Sequence, residues 1–270
     1  MTPVVSVVVP TAGDHAPLRC VLASLLRQTE VEFEVHVVSD GGPPDTPAVV
    51  EEFAARMPPG FMHHHWAAGP SAERVGAGAA RNLGARMSRG KRLLFVDGDC
   101  VCPDTLVESH AYHHTRPLLG RLALIGLRRH VPPENAEALF SQGYEWETLH
   151  AREHLTAPDR RSARSMDKHV RNSSVGVCHF AWTCHVSYPA DKFKAVGGFW
   201  EKMRGSGYED LELAVRAWRV GVRFAIISSP QVYHLDHPQS PLQAEHAQAN
   251  KVLFRQTLRD KAAVVRGRLM

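Results

Sequence analysis

Residues 4–10, VVSVVVP, are a β-branched run closed by a proline, the pattern of a strand buried on both faces. Leu18, Val21, Leu22, Leu25 and Leu26 then recur at i, i+3, i+4, i+7 and i+8, which puts them on one helical face. FEVHVVSD (33–40) predicts a second strand. Thr46 followed by Pro47 predicts a capped helix whose Val49, Val50, Phe53 and Met57 face inward. A short strand around 61–66 follows, then an alanine-rich helix from Ser71 to Ser88 ended by Gly90, then a strand in RLLFVDGD (92–99). Strands alternating with helices at this spacing predict an α/β fold built on a parallel sheet with helices on both faces.

Beyond Pro103 a helix carries Leu106, Val107 and His110, residues 121–131 (RLALIGLRRHV) read as a strand, and 134–155 as a helix. Residues 156–175, TAPDRRSARSMDKHVRNSSV, hold few large apolar side chains and many arginines, and predict a mobile surface loop of the length that often serves as a lid. Order is expected to return with HFAWTCHVSY (179–188). A helix follows from Pro189, a turn at VGGF (196–199), and a helix from Glu209 to Val220 stopped by Gly221. VRFAIIS (222–228) and QVYHL (231–235) read as two last strands, and 241–259 as a mostly polar helix.

Composition narrows the class. The chain has 270 residues, 44% hydrophobic and 22% charged, as in ordinary soluble domains. A net charge of +4 with scattered Lys and Arg gives no basic block interleaved with aromatics, so nucleic-acid binding is not implied. No apolar run approaches the roughly 20 residues of a membrane span, and MTPVVSVVVPTAG lacks the basic start of a secretory signal. Five cysteines without paired CxxC spacing argue against a disulfide framework or structural zinc site and for a reducing cytoplasm. The HHH at 63–65 reads as the start of an exposed strand rather than a metal site.

Two acidic pairs carry the candidate chemistry. Asp97 and Asp99 end a buried strand, and in an extended backbone residues i and i+2 project to one side. Two like charges held together call for a cation, and hard oxygen ligands suit Mg²⁺ or Mn²⁺. The same Asp-Gly-Asp would also serve as a polar turn. Cys100 and Cys102 read as small buried residues, since neither ion favours thiolates. Glu209 and Asp210 open a helix after RGSGY. A helix N-terminus favours the ionised carboxylate, so Asp210 is expected charged near neutral pH and suited to act as a base; plain helix capping is the alternative.

Six stretches together resemble the family-two glycosyltransferases of the GT-A fold. They are SVVVPTAG (6–13), VHVVSDGG (35–42), GAARNLGA (78–85), LLFVDGDC (93–100), AVGGFWEKM (195–203) and YEDLELAVRAWRVG (208–221), in the family's order. The chain departs from the family at Ala12-Gly13, where Tyr-Asn is common, and at Ser39-Asp40, where an acidic pair is common. The resemblance implies a GT-A domain over 1–236, with a nucleotide-binding half (1–100) and an acceptor and catalytic half (101–236), and a helical extension over 237–270. It implies nucleotide-sugar contacts at Pro10, Thr11, Ala12, Asp40, Arg81, Asp97, Gly98 and Asp99. Asp40 would accept the uracil N–H, Arg81 would pair with the diphosphate or fix the aspartate loop, Asp99 would ligate the metal, and Asp97 would meet ribose or metal. In several GT-A families a histidine after the last core strand completes the metal sphere. In VYHLDHP (232–238) His234 matches best, on one strand face with Val232 and Asp236, while His237 points away unless the strand has ended.

The implied activity is metal-dependent transfer from a nucleotide-diphosphate sugar, a UDP-sugar, to an acceptor hydroxyl of a glycan, small molecule or peptide. Inversion is implied, with Asp210, flanked by Glu209, as general base. One alternative is a sugar-1-phosphate nucleotidyltransferase, which would need a glycine- and arginine-rich phosphate loop after the first strand. PTAGDHAP (10–17) has one glycine and no Lys or Arg. The other is a degenerate transferase domain serving as a binding module, against which Asp97, Asp99 and Asp210 count.

Overall fold

The computed structural model describes residues 3–30, 32–117, 119–136, 156–158, 176–238 and 241–260. Its elements are β1 (Val5–Thr11), α1 (His15–Leu25), β2 (Phe33–Asp40), α2 (Thr46–Ala54), β3 (Met62–Ala68), α3 (Ala77–Met87), β4 (Arg92–Val96), β5 (Cys100–Val101), α4 (Leu106–Thr115) and β6 (Ala123–Val131). The second half adds β7 (Ala157–Pro158), β8 (His185–Pro189), α5 (Ala190–Val196), α6 (Glu209–Arg219), β9 (Phe224–Leu235) and α7 (Pro241–Arg259). Among the described residues they form one nine-stranded sheet in the order β3-β2-β1-β4-β8-β6-β9-β5, with β7 on β6.

β3, β2, β1 and β4 are parallel, the expected α/β half. From β8 onward the sheet is mixed: β8 runs antiparallel to β4 and β6, β9 parallel to β6, and β5 antiparallel to β9. Both faces are covered, which is why β1 and β4 are almost wholly apolar, and the polar side chains the strands do bury find partners, as Ser6 does in Glu34. Val5, Val7, Val9, Val35 and Val37 pack with Leu18, Leu22, Val49 and Phe53 of α1 and α2. On the other face Val8, Phe95 and Val186 pack with Phe193, Leu213 and Phe254 of α5, α6 and α7. α3 lies so close to that face that a Cβ on Gly84 would sit 2.5 Å from a methyl of Val8.

Several boundaries differ from the sequence expectation. α3 begins at Ala77 rather than Ser71, because Gly76, at φ 111°, takes a conformation outside the helix. Thr46 does not cap α2: its hydroxyl donates to the Pro43 carbonyl, and Asp45 sits at the cap. Within the ordered stretch 179–188 the strand begins only at His185, because residues 176–180 form a tight helical turn and Cys178 and Ala181 face one core while Cys184 faces the other. The two final strands are one. Opposite β6, Ile227 pairs with Gly126 and Val232 with Arg128, so Ser228 to Gln231 bulge out of a continuous β9. His63, His64 and His65 lie on edge strand β3 but are half-buried, with His63 and His65 stacked on His36 of β2.

Of the helix expected over 134–155, residues 137–155 lie outside the described residues, as do 159–175 of the expected loop. Ala157 and Pro158 form β7 on β6, so that segment starts as a strand. The five cysteines are buried free thiols. Among the described residues no helix is long and apolar enough to cross a membrane.

Candidate active site

The carboxyl ends of β1, β2 and β4 meet at one edge, where ligands bind in open α/β sheets. Thr11 ends β1, Asp40 ends β2, and Asp97 follows β4. Asp40 is buried, and its two oxygens accept the backbone N–H groups of Val75 (2.7 Å) and Gly76 (2.8 Å). The β3–α3 loop is thus tied to the end of β2, and the Arg74 guanidinium from that loop donates to the Ala12 carbonyl. Asp40 retains lone pairs for a further donor.

Asp97-Gly98-Asp99 is a tight turn, closed by the Cys100 amide on the Asp97 carbonyl at 3.0 Å. The strand alternation invoked from the sequence therefore does not hold; turn geometry, not the pleat, brings the carboxylates together. The Gly98 amide donates to the Pro10 carbonyl, and a Cβ at Gly98 would stand 2.9 Å from that oxygen, so only glycine allows the turn to lie against β1. Ligand atoms of Asp97, Asp99 and Cys100 lie within 4.8 Å of one another.

Arg81 on α3 is buried and forks between the halves. It donates to Asp97 Oδ1 at 2.7 Å and to Glu209 Oε1 at 3.0 Å, with its guanidinium 5.6 Å from the Phe199 ring centre. Burial opposes its charge, but Asp97 and Glu209 outweigh burial and hold it protonated, above its ordinary range. Of the two roles expected, fixing the aspartate loop is the one its contacts serve.

Asp99 faces two histidines. Its Oδ2 lies 3.2 Å from His237 Nε2 and 3.6 Å from His234 Nε2. β9 ends at Leu235, so alternation no longer turns His237 away. Asp99, His234 and His237 form a second cluster of candidate ligand atoms within 4.8 Å, and His130, His234 and Asp236 a third. Burial would raise the Asp99 carboxyl, yet His237 and His234 together hold it below its usual value. The Asp99 bond in turn lifts His237 to about 9. Sequence reasoning placed His237 second and missed His130, which arrives from β6; Asp236 it named only as a neighbour of His234.

Asp210 stands in the first turn of α6, after Tyr208 at φ 69°, a left-handed conformation that costs a non-glycine residue energy and is concentrated at functional sites. Its Oδ1 accepts the Leu211 amide at 2.8 Å. The expectation of a charged carboxylate at neutral pH is overturned: burial first, and the Glu209 charge second, raise Asp210 to about 8 despite the amide and Arg81. The helix N-terminus is outweighed by desolvation.

The comparisons with known proteins give this fold its class, a glycosyltransferase domain. Residues 6–180 match the glycosyl transferase family 2 profile, and residues 176–238 match one described as the N-terminal domain of galactosyltransferase. The chain belongs to glycosyl transferase family 2. It is 29% identical over 233 residues to validoxylamine A glucosyltransferase of Streptomyces hygroscopicus subsp. limoneus, covering 83% of this chain and 50% of the relative. The chain thus spans about half the length of the curated relatives it matches. S. aureus TarS 1-349 in complex with UDP superposes with a TM-score of 0.65 at 20% identity, over 95% of this chain and 65% of that one. The mannosyltransferase PcManGT from Pyrobaculum calidifontis, in complex with GDP-Man and Mn²⁺, gives 0.57 at 16%, over 98% and 74%. At these identities the structures establish the shared fold, the GT-A architecture expected from the sequence.

Proposed function

We propose that this chain transfers the sugar of a UDP-sugar to an acceptor hydroxyl with inversion, releasing UDP, using a divalent cation and Asp210 as general base. The observation that carries the reading is the Arg81 fork, which ties Asp97 of the nucleotide half to Glu209, the neighbour of Asp210. The donor side and the base are thereby held as one unit. Asp40 is the candidate acceptor for the uracil N–H. The bound UDP of TarS supports the uridine assignment, and the GDP-Man of PcManGT marks the competing one.

The ligand set fits Mn²⁺: Asp99, His234 and His237 converge, with Asp97 adjacent, and a mixed carboxylate and imidazole set suits manganese better than magnesium. Such an ion, when bound, stabilises the negative charge on the departing nucleoside diphosphate as a Lewis acid. Asp210, unprotonated, accepts the proton of the attacking hydroxyl. Glu209 stays paired with Arg81 and keeps α6 registered to the aspartate turn.

The test is thermal melting with nucleotides. UDP with Mn²⁺ at a hundredfold excess over its dissociation constant should stabilise the fold by about 2.7 kcal/mol, and UDP with a chelator should not. Equal stabilisation with the chelator defeats the metal requirement, and stronger stabilisation by GDP defeats the uridine assignment.

A further inference from the structure

His234 sits in the sheet between two strands. Its cross-strand partner on β6 is His130, and on β5 it is Cys100, which adjoins Asp99. The rings of His130 and His234 are 5.4 Å apart. Both point their Nδ1 atoms at one atom, Asp236 Oδ1, at 2.8 Å from His130 and 2.7 Å from His234. Asp236 lies two residues beyond His234, just past the end of β9, and its own amide is clamped to the Val131 carbonyl at 2.8 Å.

A carboxylate only accepts hydrogen bonds, so each imidazole must present Nδ1–H to it. A neutral imidazole with its proton on Nδ1 has its lone pair on Nε2. For His234, that is the nitrogen facing Asp99. His130 takes the same oxygen from the other side and stops the carboxylate from rotating away.

The geometry points to Asp236 and His130 as positioning residues, an outer carboxylate and imidazole that lock His234 in the tautomer whose Nε2 can ligate the cation beside Asp99. This rests on the metal reading above. Outer-shell partners of this kind are worth about 10–100-fold in metal affinity.

The tautomer is read directly in the metal-free native protein from ¹⁵N spectra of the histidine side chains, with His234 assigned by its loss in His234→Ala. Read at a pH where the His234 ring is neutral, the proton is expected on Nδ1; a neutral ring protonated on Nε2 alone overturns the inference, and this needs no destabilising variant. Manganese titration in the presence of UDP, followed by the spin resonance of free Mn²⁺, then compares the parent with Asp236→Ala and His130→Ala. Affinity should fall about 10–100-fold in Asp236→Ala and by the lower end of that range in His130→Ala, with one ion per chain throughout. Unchanged affinity in Asp236→Ala overturns the positioning role alone. Two ions in the parent and one in Asp236→Ala also overturn it, because the trio would then be a metal site of its own. His234→Ala binding manganese as tightly as the parent would instead defeat the metal reading on which it rests.

Discussion

Replacing Arg81 with methionine tests whether the two halves of the site are held by charge. The side chain is 5% exposed, its partner Glu209 is 4% exposed, and Asp97 is 29% exposed. The penalty should therefore fall almost wholly on Glu209, whose second oxygen has no hydrogen-bond partner and would be left with none at either oxygen. Breaking a buried ion pair from one side costs about 3–5 kcal/mol, while Asp97 can recover hydration and adds about 1 kcal/mol or less. For a chain of this size that lowers the melting temperature by about 6–20 °C. Methionine keeps contact with the Phe199 ring, so lost packing is a minor part. The assay is urea unfolding followed by far-UV circular dichroism at neutral pH, with the midpoint read at constant slope. Adding Glu209→Gln to Arg81→Met should restore more than about 1.5 kcal/mol, since the buried charge is then gone. A loss below about 1 kcal/mol in Arg81→Met, or no recovery in the double variant, refutes the reasoning.

Asp210→Asn should lower turnover by about 10²–10⁴ while leaving the UDP–Mn²⁺ melting shift intact. In the parent, transfer should rise about tenfold per pH unit up to about 8, where the base loses its proton. The folded value lies above the unfolded carboxyl value of about 3.9, so the metal-free fold holds an extra proton between the two and loses stability as pH climbs to 8. Asp210→Asn should flatten that decline in a melting series; a parallel decline would return the residue to a purely solvated role. Gly126→Ala places a Cβ within 1.9–2.3 Å of the His185 ring, which is bonded to the Leu127 carbonyl and to His110. It should cost about 1–3 kcal/mol in overpacking and as much again in unpaired buried groups, partly recovered by His185→Ala.

The parallel half was readable because local pattern and final environment agree there. VVSVVVP is apolar but for Ser6, and FEVHVVSD keeps Phe33, Val35, Val37 and Val38, because helices cover both faces; the polar side chains between them are buried too, Ser6 bonding to Glu34. The aspartate turn and Asp210 stand out in the sequence by residue type and spacing, although a turn rather than the pleat shapes the first and burial opposes charge on the second. Desolvation of Asp210 depends on what surrounds α6, which no local window contains. The amides of Val75 and Gly76 on Asp40 depend on a loop leaving its expected helix. His130 could not be found at all, because its place beside His234 is set by the pairing of β6 with β9. The bulge at Ser228–Gln231 misled for the opposite reason: a local break was read as a strand end, while pairing with β6 continues past it.

The joining of β5 to the end of β9 also sets when the site comes into being. Asp99 and His237 stand 138 positions apart in the chain. At ribosomal rates of about 5–20 residues per second, the later residue emerges on the order of ten seconds after the earlier one. During that interval α1 and α2 can cover one face of β1 and β2, but the acidic turn waits without the histidines that face it. Such long-range closure carries its entropic cost before any contact rewards it, so these residues come together late in folding. Capture of a cation by Asp99 and β9 would then act as a proof of completion, stabilising only chains whose last strand has found its place.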